Sequence, residues 1–274
     1  MVKKVLAVHD LACVGRCSLT VIIPILSAMG MQVCPLPTAI LSSHPAGFVK
    51  VSVNDLTDNL KEINNSWKEN KLKFDCLYTG FLASNKQIDI CEELIIEYKK
   101  NNLYIYVDPV MADEGVKYSM MNDEFVEKMQ HLVTLADLVT PNYTEACLLL
   151  GKEYQSGNID PESLEEWLKE IAELGPSKVV ITGVKADKNI VNVGYDKTTG
   201  IFYFVKNKKI NTKYSGTGDM FGSVLLGDIL SGSGFGVAIK NASNFVGKAI
   251  ERSIELGEPI REGACFEDCL AYLE

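Results

Sequence analysis

Two glycines precede a long apolar run late in the chain, and a carboxylate follows them. Residues 214–219 read Y-S-G-T-G-D, and the apolar run extends from Met220 to Leu230. Glycines at the start of a helix leave backbone N–H groups uncovered, and these groups together with the helix dipole form an anion site. Asp219 would then lie in the first turn of that helix, where a carboxylate is stable and can point at a bound group.

An anion site beside a carboxylate suits phosphoryl transfer. The amides of Gly216, Thr217 and Gly218 would hold the charge that develops on the phosphoryl group. Asp219 would take the proton from the attacking hydroxyl. The same pattern is also typical of a glycine-rich turn in which Asp219 is a capping residue. The motif by itself leaves both interpretations open.

Further polar side chains stand at predicted strand ends. Asp108 and Thr140 each precede a proline, which disfavours helical backbone at these residues and ends the strand there. Asn142 and Glu145 are three residues apart, so they share one face of a first helical turn. A site with a small number of oxygen ligands and room for waters suits an Mg²⁺ ion that bridges nucleotide phosphates. The alternative is a helix cap in which the Glu145 carboxylate interacts favourably with the helix dipole.

The elements that must position these groups alternate between strand and helix. This alternation predicts a mostly parallel sheet with crossover helices, whose ligands gather at the carboxyl edge of the strands. Ser18 can cap the first helix, and the turn at 196–200 predicts a hairpin. Strands are predicted at 4–8, 32–37, 74–79, 103–107, 137–139, 178–182, 189–195 and 201–205, and helices at 19–29, 54–70, 85–100 and 161–174.

The loop at 42–48 is rich in polar residues, glycine and proline, and is long enough to fold over a ligand. His44 in this loop has two interpretations. It is a histidine whose ring is satisfied within the loop, or a group that stacks on or hydrogen-bonds a substrate.

Length and composition bound the class of protein. The chain has 274 residues, is 47% hydrophobic and carries a net charge of −9. No linker, repeat or shift in composition marks a boundary, so a single domain over 1–274 is predicted. The acidic balance argues against nucleic acid or a membrane surface as the main partner. The longest apolar run, near 19–29, is too short to span a bilayer, and no leader segment is recognised.

Eight cysteines invite a disulfide or metal interpretation. Cys13 and Cys17 are four residues apart, as are Cys265 and Cys269, and neither pair has the spacing of common zinc sites. Most of the others lie in apolar contexts, where a free cysteine behaves as a small hydrophobe. We therefore expect a reducing, cytoplasmic setting. The roles of the two spaced pairs, Cys13 with Cys17 and Cys265 with Cys269, stay open.

The motifs D-P-V-M at 108–111, N-x-x-E at 142–145 and G-T-G-D at 216–219 occur together and in this order. By them the chain resembles the ribokinase-like superfamily and, within it, the pyridoxal (vitamin B6) kinases. The resemblance covers nearly the whole chain. It implies an α/β fold, a three-layer α/β/α sandwich with a mostly parallel central sheet, helices on both faces and a minimal lid. It also implies a homodimer.

The resemblance implies roles for individual residues. Asp219 would be the catalytic base, and the 216–219 amides the anion hole. Asn142 and Glu145, with Asp108, would act in the magnesium site of an ATP-dependent enzyme, and a monovalent cation such as K⁺ stays open. Nucleotide contacts are implied for Asp108, Asp113, Tyr118, Thr140, Thr182 and Ser215.

Substrate residues match the family less closely. Asp10 stands where pyridoxal kinases commonly have serine, and Phe81 where they have tyrosine. Ser43 and His44 keep the family's pattern, but Pro45 replaces a usual threonine. Asp10 beside the substrate ring would favour a protonated pyridine nitrogen or the amine of pyridoxamine.

Two alternatives remain. Hydroxymethylpyrimidine kinases of thiamin synthesis are similar in many motifs, although they frequently carry cysteine where this chain has Asp219. A non-catalytic sensor on the same fold is the alternative of another class. The presence of Asp219, Asn142 and Glu145 argues against a sensor, which need not keep a base.

Overall fold

The structure is a computed structural model that describes residues 2–45, 47–99 and 102–273. The chain divides into two compact units. The first comprises residues 1–77 and 210–274, and the second comprises residues 78–209. The single domain over 1–274 stays a prediction.

The helices and strands follow the order expected of an α/β chain. They are β1 (Lys4–Ala12), α1 (Leu19–Ala28), β2 (Gln32–Leu41), β3 (Val53–Asp55), α2 (Thr57–Glu69), β4 (Cys76–Thr79), α3 (Asn85–Tyr98), β5 (Tyr104–Val107), β6 (Ala112–Asp113), β7 (Val116–Lys117), α4 (Asp123–Thr134), β8 (Leu138–Val139), α5 (Tyr143–Leu150), α6 (Glu165–Leu174), β9 (Lys178–Ala186), β10 (Asn189–Asp196), β11 (Ile201–Lys208), α7 (Thr217–Leu230) and α8 (Phe235–Leu256).

In the first unit, β1 pairs with β2 in parallel, while β3 closes the edge antiparallel to β2. Helix α1 packs on these strands and on α7, which packs on α8. The interior of β1 is apolar on both faces, as expected of a central parallel strand. These contacts set the carboxyl end of β1 and the start of α7 in one unit.

In the second unit the strand order is β11-β10-β9-β8-β5-β4. Strands β5, β8 and β9 are parallel, and β9, β10 and β11 form antiparallel pairs. The predicted hairpin at 189–205 is confirmed. A second sheet, of β6 and β7, was not predicted from the sequence.

Several predicted boundaries are wrong. Strands β1 and β2 continue past residues 8 and 37, because residues 11 and 12 pair with residues 40 and 41 after an irregularity that follows His9. The predicted helix at 54–70 begins instead at Thr57, since Val53–Asp55 pairs with β2. The helix predicted from 161 starts as a 3₁₀ turn, Pro161–Leu164, with Asp160 as its cap. Lys100, the predicted end of the third helix, lies outside the described residues.

The predicted fold class is confirmed: a mostly parallel central sheet with helices on both faces. Residues 13–18 alone separate β1 from α1, which agrees with the expected minimal lid.

Within the described ranges, we find no helix that is both long and apolar enough to cross a membrane.

Candidate active site

In the first unit, helix α7 begins as the glycine motif predicts. Gly216 is its N-terminal cap with φ 79°, and Asp219 lies in the first turn. Left-handed backbone favours glycine. A Cβ at Gly216 would also come within 1.9 Å of the Arg16 carbonyl oxygen. The backbone conformation and the packing within the protein thus both exclude a side chain at this position, and they explain the glycine without a ligand.

Gly218 is different. It is exposed and helical, and a Cβ built there would meet no protein atom within 4 Å. Glycine inside a helix costs about 1 kcal/mol relative to alanine, so neither packing nor backbone geometry explains it. Close approach of a ligand to the backbone would explain it. The first-turn amides, which an α-helix leaves without intrahelical acceptors, would face such a ligand.

The Asp219 cluster consists of Asp10, Cys17, Ser18 and Asp219. The backbone N–H of Ser18 donates to Asp219 Oδ2 at 2.7 Å, and the Ser18 hydroxyl donates to Asp10 Oδ1 at 2.5 Å. One serine thus holds two carboxylates. The prediction that Ser18 caps α1 with its side chain is wrong, since its hydroxyl is used by Asp10.

Burial raises the pKa values of both carboxyls. The pKa of Asp219 rises to about 7, because burial and the Asp10 charge outweigh the Ser18 N–H, which lowers it. Burial also raises the pKa of Asp10, although the Ser18 hydroxyl and His44 lower it. A carboxyl with a pKa near neutrality is well matched to a general base at cellular pH.

Cys17 is buried beside these carboxylates. Burial, Asp219 and Asp10 all raise the pKa of its thiol, so it is held as a neutral group. Cys13 is exposed, whereas Cys265 and Cys269 are buried. In the part of the chain that the structure describes, the cysteines are free thiols and no group of three or more His, Cys, Asp or Glu side chains could hold a metal.

His44 and Ser43 are both buried in the first unit. The His44 Nε2–H donates to the Arg261 carbonyl, and its ring meets Phe48 edge-on at 5.3 Å. The ring of His44 is therefore satisfied, but its hydrogen-bond partner comes from the C-terminal segment and not from its own loop. The substrate role of both residues stays a prediction. Ala46 in the same loop lies outside the described residues.

In the second unit, Asn142 and Glu145 form a capping box at the start of α5. The Asn142 Oδ1 accepts from the Glu145 N–H at 2.9 Å, and the Glu145 Oε2 accepts from the Asn142 N–H at 2.8 Å. The Met111 N–H donates to Glu145 Oε1 at 3.0 Å, and Asn142 Nδ2 donates to the Ala112 carbonyl at 2.8 Å. The box therefore ties α5 to the segment that follows β5.

Glu145 is 3% exposed, and burial raises the pKa of its carboxyl. The backbone amides of Asn142, Met111 and Ala112 lower that pKa, while Asp113 raises it. Since both oxygens already accept hydrogen bonds, the side chain fits a magnesium role through waters on its remaining lone pairs rather than direct ligation.

Three other residues with predicted nucleotide roles in this unit, Asp108, Thr140 and Thr182, lie in or directly after the strands of its main sheet. Thr140 Oγ1 shares a hydrogen bond with the Tyr106 hydroxyl at 2.7 Å and donates to Asp108 Oδ1 at 3.4 Å. Thr182 bridges to Asn142 beside the capping box. Asp108, Thr140, Asn142 and Glu145 follow the carboxyl ends of β5 and β8, as predicted, whereas Thr182 lies within β9.

Asp113 is the last residue of β6, and Tyr118 directly follows β7. The turn residues of this hairpin, Glu114 and Gly115, have φ 51° and 79°, as a type I′ turn requires. The pair Glu-Gly between short strands was a usable sequence signal. Tyr118 is 40% exposed, and its N–H donates to the Met111 carbonyl. Phe81 is half-buried in the same unit, and Ser215 lies in the first.

Comparisons with known proteins match most of the chain. A family model described as phosphomethylpyrimidine kinase matches residues 24–262. A hydroxymethylpyrimidine/phosphomethylpyrimidine kinase from Aquifex aeolicus is 31% identical over 182 residues, which are 65% of this chain and 68% of that protein.

Solved structures are similar over the whole chain. A candidate phosphomethylpyrimidine kinase from Bacteroides thetaiotaomicron, crystallised with pyridoxal, is 39% identical with a TM-score of 0.94, covering 100% of this chain and 96% of that one. A pyridoxal kinase from Lactobacillus plantarum is 28% identical with a TM-score of 0.90, covering 100% and 97%.

Proposed function

Because the chain belongs to the phosphomethylpyrimidine kinase family, we propose that it transfers the γ-phosphoryl group of ATP to the 5′-hydroxymethyl group of a B6 vitamer: pyridoxal, pyridoxine or pyridoxamine. The observation that carries this proposal is the start of α7. There an unhindered glycine backbone at Gly218 stands directly beside a carboxylate, Asp219, whose pKa is raised to about 7.

In the proposed mechanism the amides of 216–219 hold the phosphoryl charge that grows in the transition state. Asp219 accepts the proton of the attacking hydroxymethyl group, and its ionised form is the active one. Ser18 holds that carboxylate in place through its N–H.

We propose that the second unit supplies nucleotide and cation contacts. Asp108, Asp113, Tyr118, Thr140 and Thr182, with Ser215 of the first unit, would contact ATP. Asn142 and Glu145 would hold Mg²⁺ through waters, and this ion neutralises phosphate charge when bound. Asp108 would assist them.

Asp10 is proposed to select among vitamers. It stands at the end of β1, 4% exposed, with one oxygen on Ser18. A carboxylate here favours a cationic substrate group, either a protonated pyridine nitrogen or the amine of pyridoxamine. Ser43, His44 and Phe81 are proposed to contact the substrate. The homodimer rests on the resemblance to the family, and the reducing cytoplasm is supported by the free thiols.

Hydroxymethylpyrimidine is the second candidate substrate, favoured by the family model and by the Aquifex aeolicus relative. ATP consumption measured in parallel with pyridoxal, pyridoxine, pyridoxamine and hydroxymethylpyrimidine separates the two. We expect the highest kcat/KM with a B6 vitamer. A higher value with hydroxymethylpyrimidine would reverse the assignment, and binding without turnover of all four compounds would identify a sensor.

The role of the α7 start is tested by Gly218→Ala. The methyl group would meet no protein atom, so we expect a stable protein whose kcat/KM for ATP falls at least about tenfold, because the methyl occupies the phosphate's place. Gly234→Ala at the start of α8 is the matched control, since a Cβ there also meets nothing within 4 Å. Equal activity of the two variants would contradict the proposed anion site.

A further inference from the structure

Arg16 makes an unusually complete set of contacts for a residue in a short loop. Its Nε donates to Glu267 Oε1 at 2.6 Å, and its Nη1 donates to Glu258 Oε2 at 3.2 Å. Its backbone N–H donates to the Glu262 carbonyl at 2.9 Å. We call Arg16, Glu258 and Glu267 the Arg16 clasp. It joins the loop at 13–18 to the C-terminal segment at 258–267.

The backbone of Arg16 is held as closely as its side chain. Its carbonyl oxygen lies against two glycines in left-handed backbone, Gly216 and Gly263. A Cβ at these positions would come within 1.9 and 2.7 Å of that oxygen. The loop therefore contacts the N-terminal cap of α7 and the C-terminal segment without room for a methyl group on either side.

Two residues after Arg16, the backbone of Ser18 adopts φ 50° and ψ −134°. This region is costly for a residue other than glycine and persists only when the surroundings enforce it. Its consequence is that the Ser18 N–H meets Asp219 Oδ2 while its hydroxyl meets Asp10. The Arg16 clasp is the adjacent structure that can enforce such a conformation.

We propose that Arg16 is a positioning residue for Asp219: the Arg16 clasp fixes the loop at 13–18 so that the Ser18 N–H stays on the Asp219 carboxylate. The inference deepens the proposed function, because it assigns the support of the proposed base. The groups around Asp219 are Asp10 from β1 and Cys17 and Ser18 from the loop, and His44 faces Asp10.

The test uses two variants: one leaves the charge unchanged, and the other has a direct charge effect that opposes the expected shift. Arg16→Lys keeps the positive charge but loses the fork that reaches both glutamates. Glu267→Gln removes a negative charge, which by itself would lower the pKa of Asp219. If the loop loosens, the Ser18 N–H leaves the carboxylate and the pKa of Asp219 rises in both variants, by about half to one pH unit.

The measurement is a carbon-13 NMR titration of the Asp219 carboxyl carbon in aspartate-labelled protein, assigned with Asp219→Asn. Arg252→Lys is the control, because Arg252 of the same unit pairs with Asp268 and Glu255 and not with the loop. An upward shift in both clasp variants, absent in the control, supports the proposal. An unchanged midpoint in Arg16→Lys or a lowered one in Glu267→Gln overturns it.

The titration needs no substrate, so its result is independent of whether the protein phosphorylates a B6 vitamer. Where kinase activity is present, the acid limb of kcat/KM should move to higher pH with the same two variants. A uniform loss of activity at every pH would instead indicate a purely structural role for Arg16.

Discussion

The molecule holds two carboxylates in equivalent positions of two helices. Asp219 and Glu145 are each the third residue of a helix, α7 and α5, and burial raises the pKa of each. Their partners differ. Glu145 uses both oxygens to accept backbone N–H groups, whereas Asp219 accepts the Ser18 N–H through one oxygen.

The difference originates in the cap residue of each helix. Asn142 has a side chain that accepts one of the first-turn N–H groups, and Glu145 returns the bond. Gly216 has no side chain, so no cap side chain accepts from the first-turn N–H groups of α7, which is what the proposed anion site requires. A capping box satisfies first-turn N–H groups within the protein and so stabilises the helix. A glycine cap leaves those N–H groups without a side-chain acceptor, so that they could bind a ligand.

The largest expected effect follows from removing the proposed base. Asp219→Asn should lower kcat by about 10²–10⁴-fold, because proton acceptance by a positioned side chain contributes that much. Glu145→Gln is the matched variant in the other cluster. It should lower activity less and raise the Mg²⁺ concentration needed for half-maximal activity. Steady-state ATP consumption over a Mg²⁺ series measures both. Near-normal kcat in Asp219→Asn would remove Asp219 from the mechanism.

Stability should show the reverse order. Glu145→Ala leaves the Met111 and Asn142 amides without their acceptor, so the free energy of unfolding should fall by roughly 2 kcal/mol or more. Glu166→Ala, an exposed first-turn residue of α6, is the control and should change it by less than about 0.5 kcal/mol. Urea unfolding measures both. A Glu145→Ala variant as stable as the control would contradict a structural role for the box.

The pH dependence of stability distinguishes a functional carboxylate further. Because the folded state raises the pKa of Asp219 from 3.8 to about 7, it binds this proton more tightly than the unfolded chain. The stabilisation of the folded state by the bound proton of Asp219 is therefore complete below pH 4, and it is lost as the pH rises to 7. Asp219→Asn should therefore be more stable than the parent by on the order of 1–3 kcal/mol at pH 8 and nearly equal at pH 4. Urea unfolding of both proteins at pH 4 and pH 8 measures this. The same stability difference between variant and parent at both pH values would refute the raised pKa.

The smallest effect concerns Asp10. Asp10→Asn removes the charge that raises the pKa of Asp219, so the acid limb of kcat/KM should move to lower pH by a few tenths of a pH unit. The KM for pyridoxamine should rise severalfold relative to that for pyridoxine, because the amine loses its counter-charge. Initial rates at saturating ATP measure the KM values for pyridoxamine and pyridoxine. If neither KM changes, Asp10 does not select the vitamer.

Local pattern sufficed for much of this protein. Most of the strand and helix alternation, the 189–205 hairpin and the position of Asp219 in a first turn were predicted, whereas β3 and α4 were not. These features depend on apolar periodicity and on glycine and proline, whose effects act within a few residues. The hairpin of β6 and β7 carried a local signal too, the Glu114-Gly115 turn, and was missed.

The sequence by itself determined the α/β alternation and placed two carboxylates at equivalent helical positions. The tertiary structure decided what each carboxylate contacts, because its partners come from distant parts of the chain. Ser18 and Asp219 are 201 residues apart, and Met111 and Glu145 are 34 apart. Neither periodicity nor spacing encodes such hydrogen bonds, since packing of whole elements sets them. Ser18 was therefore interpreted as a helix cap, although folding turned its amide toward one carboxylate and its hydroxyl toward another.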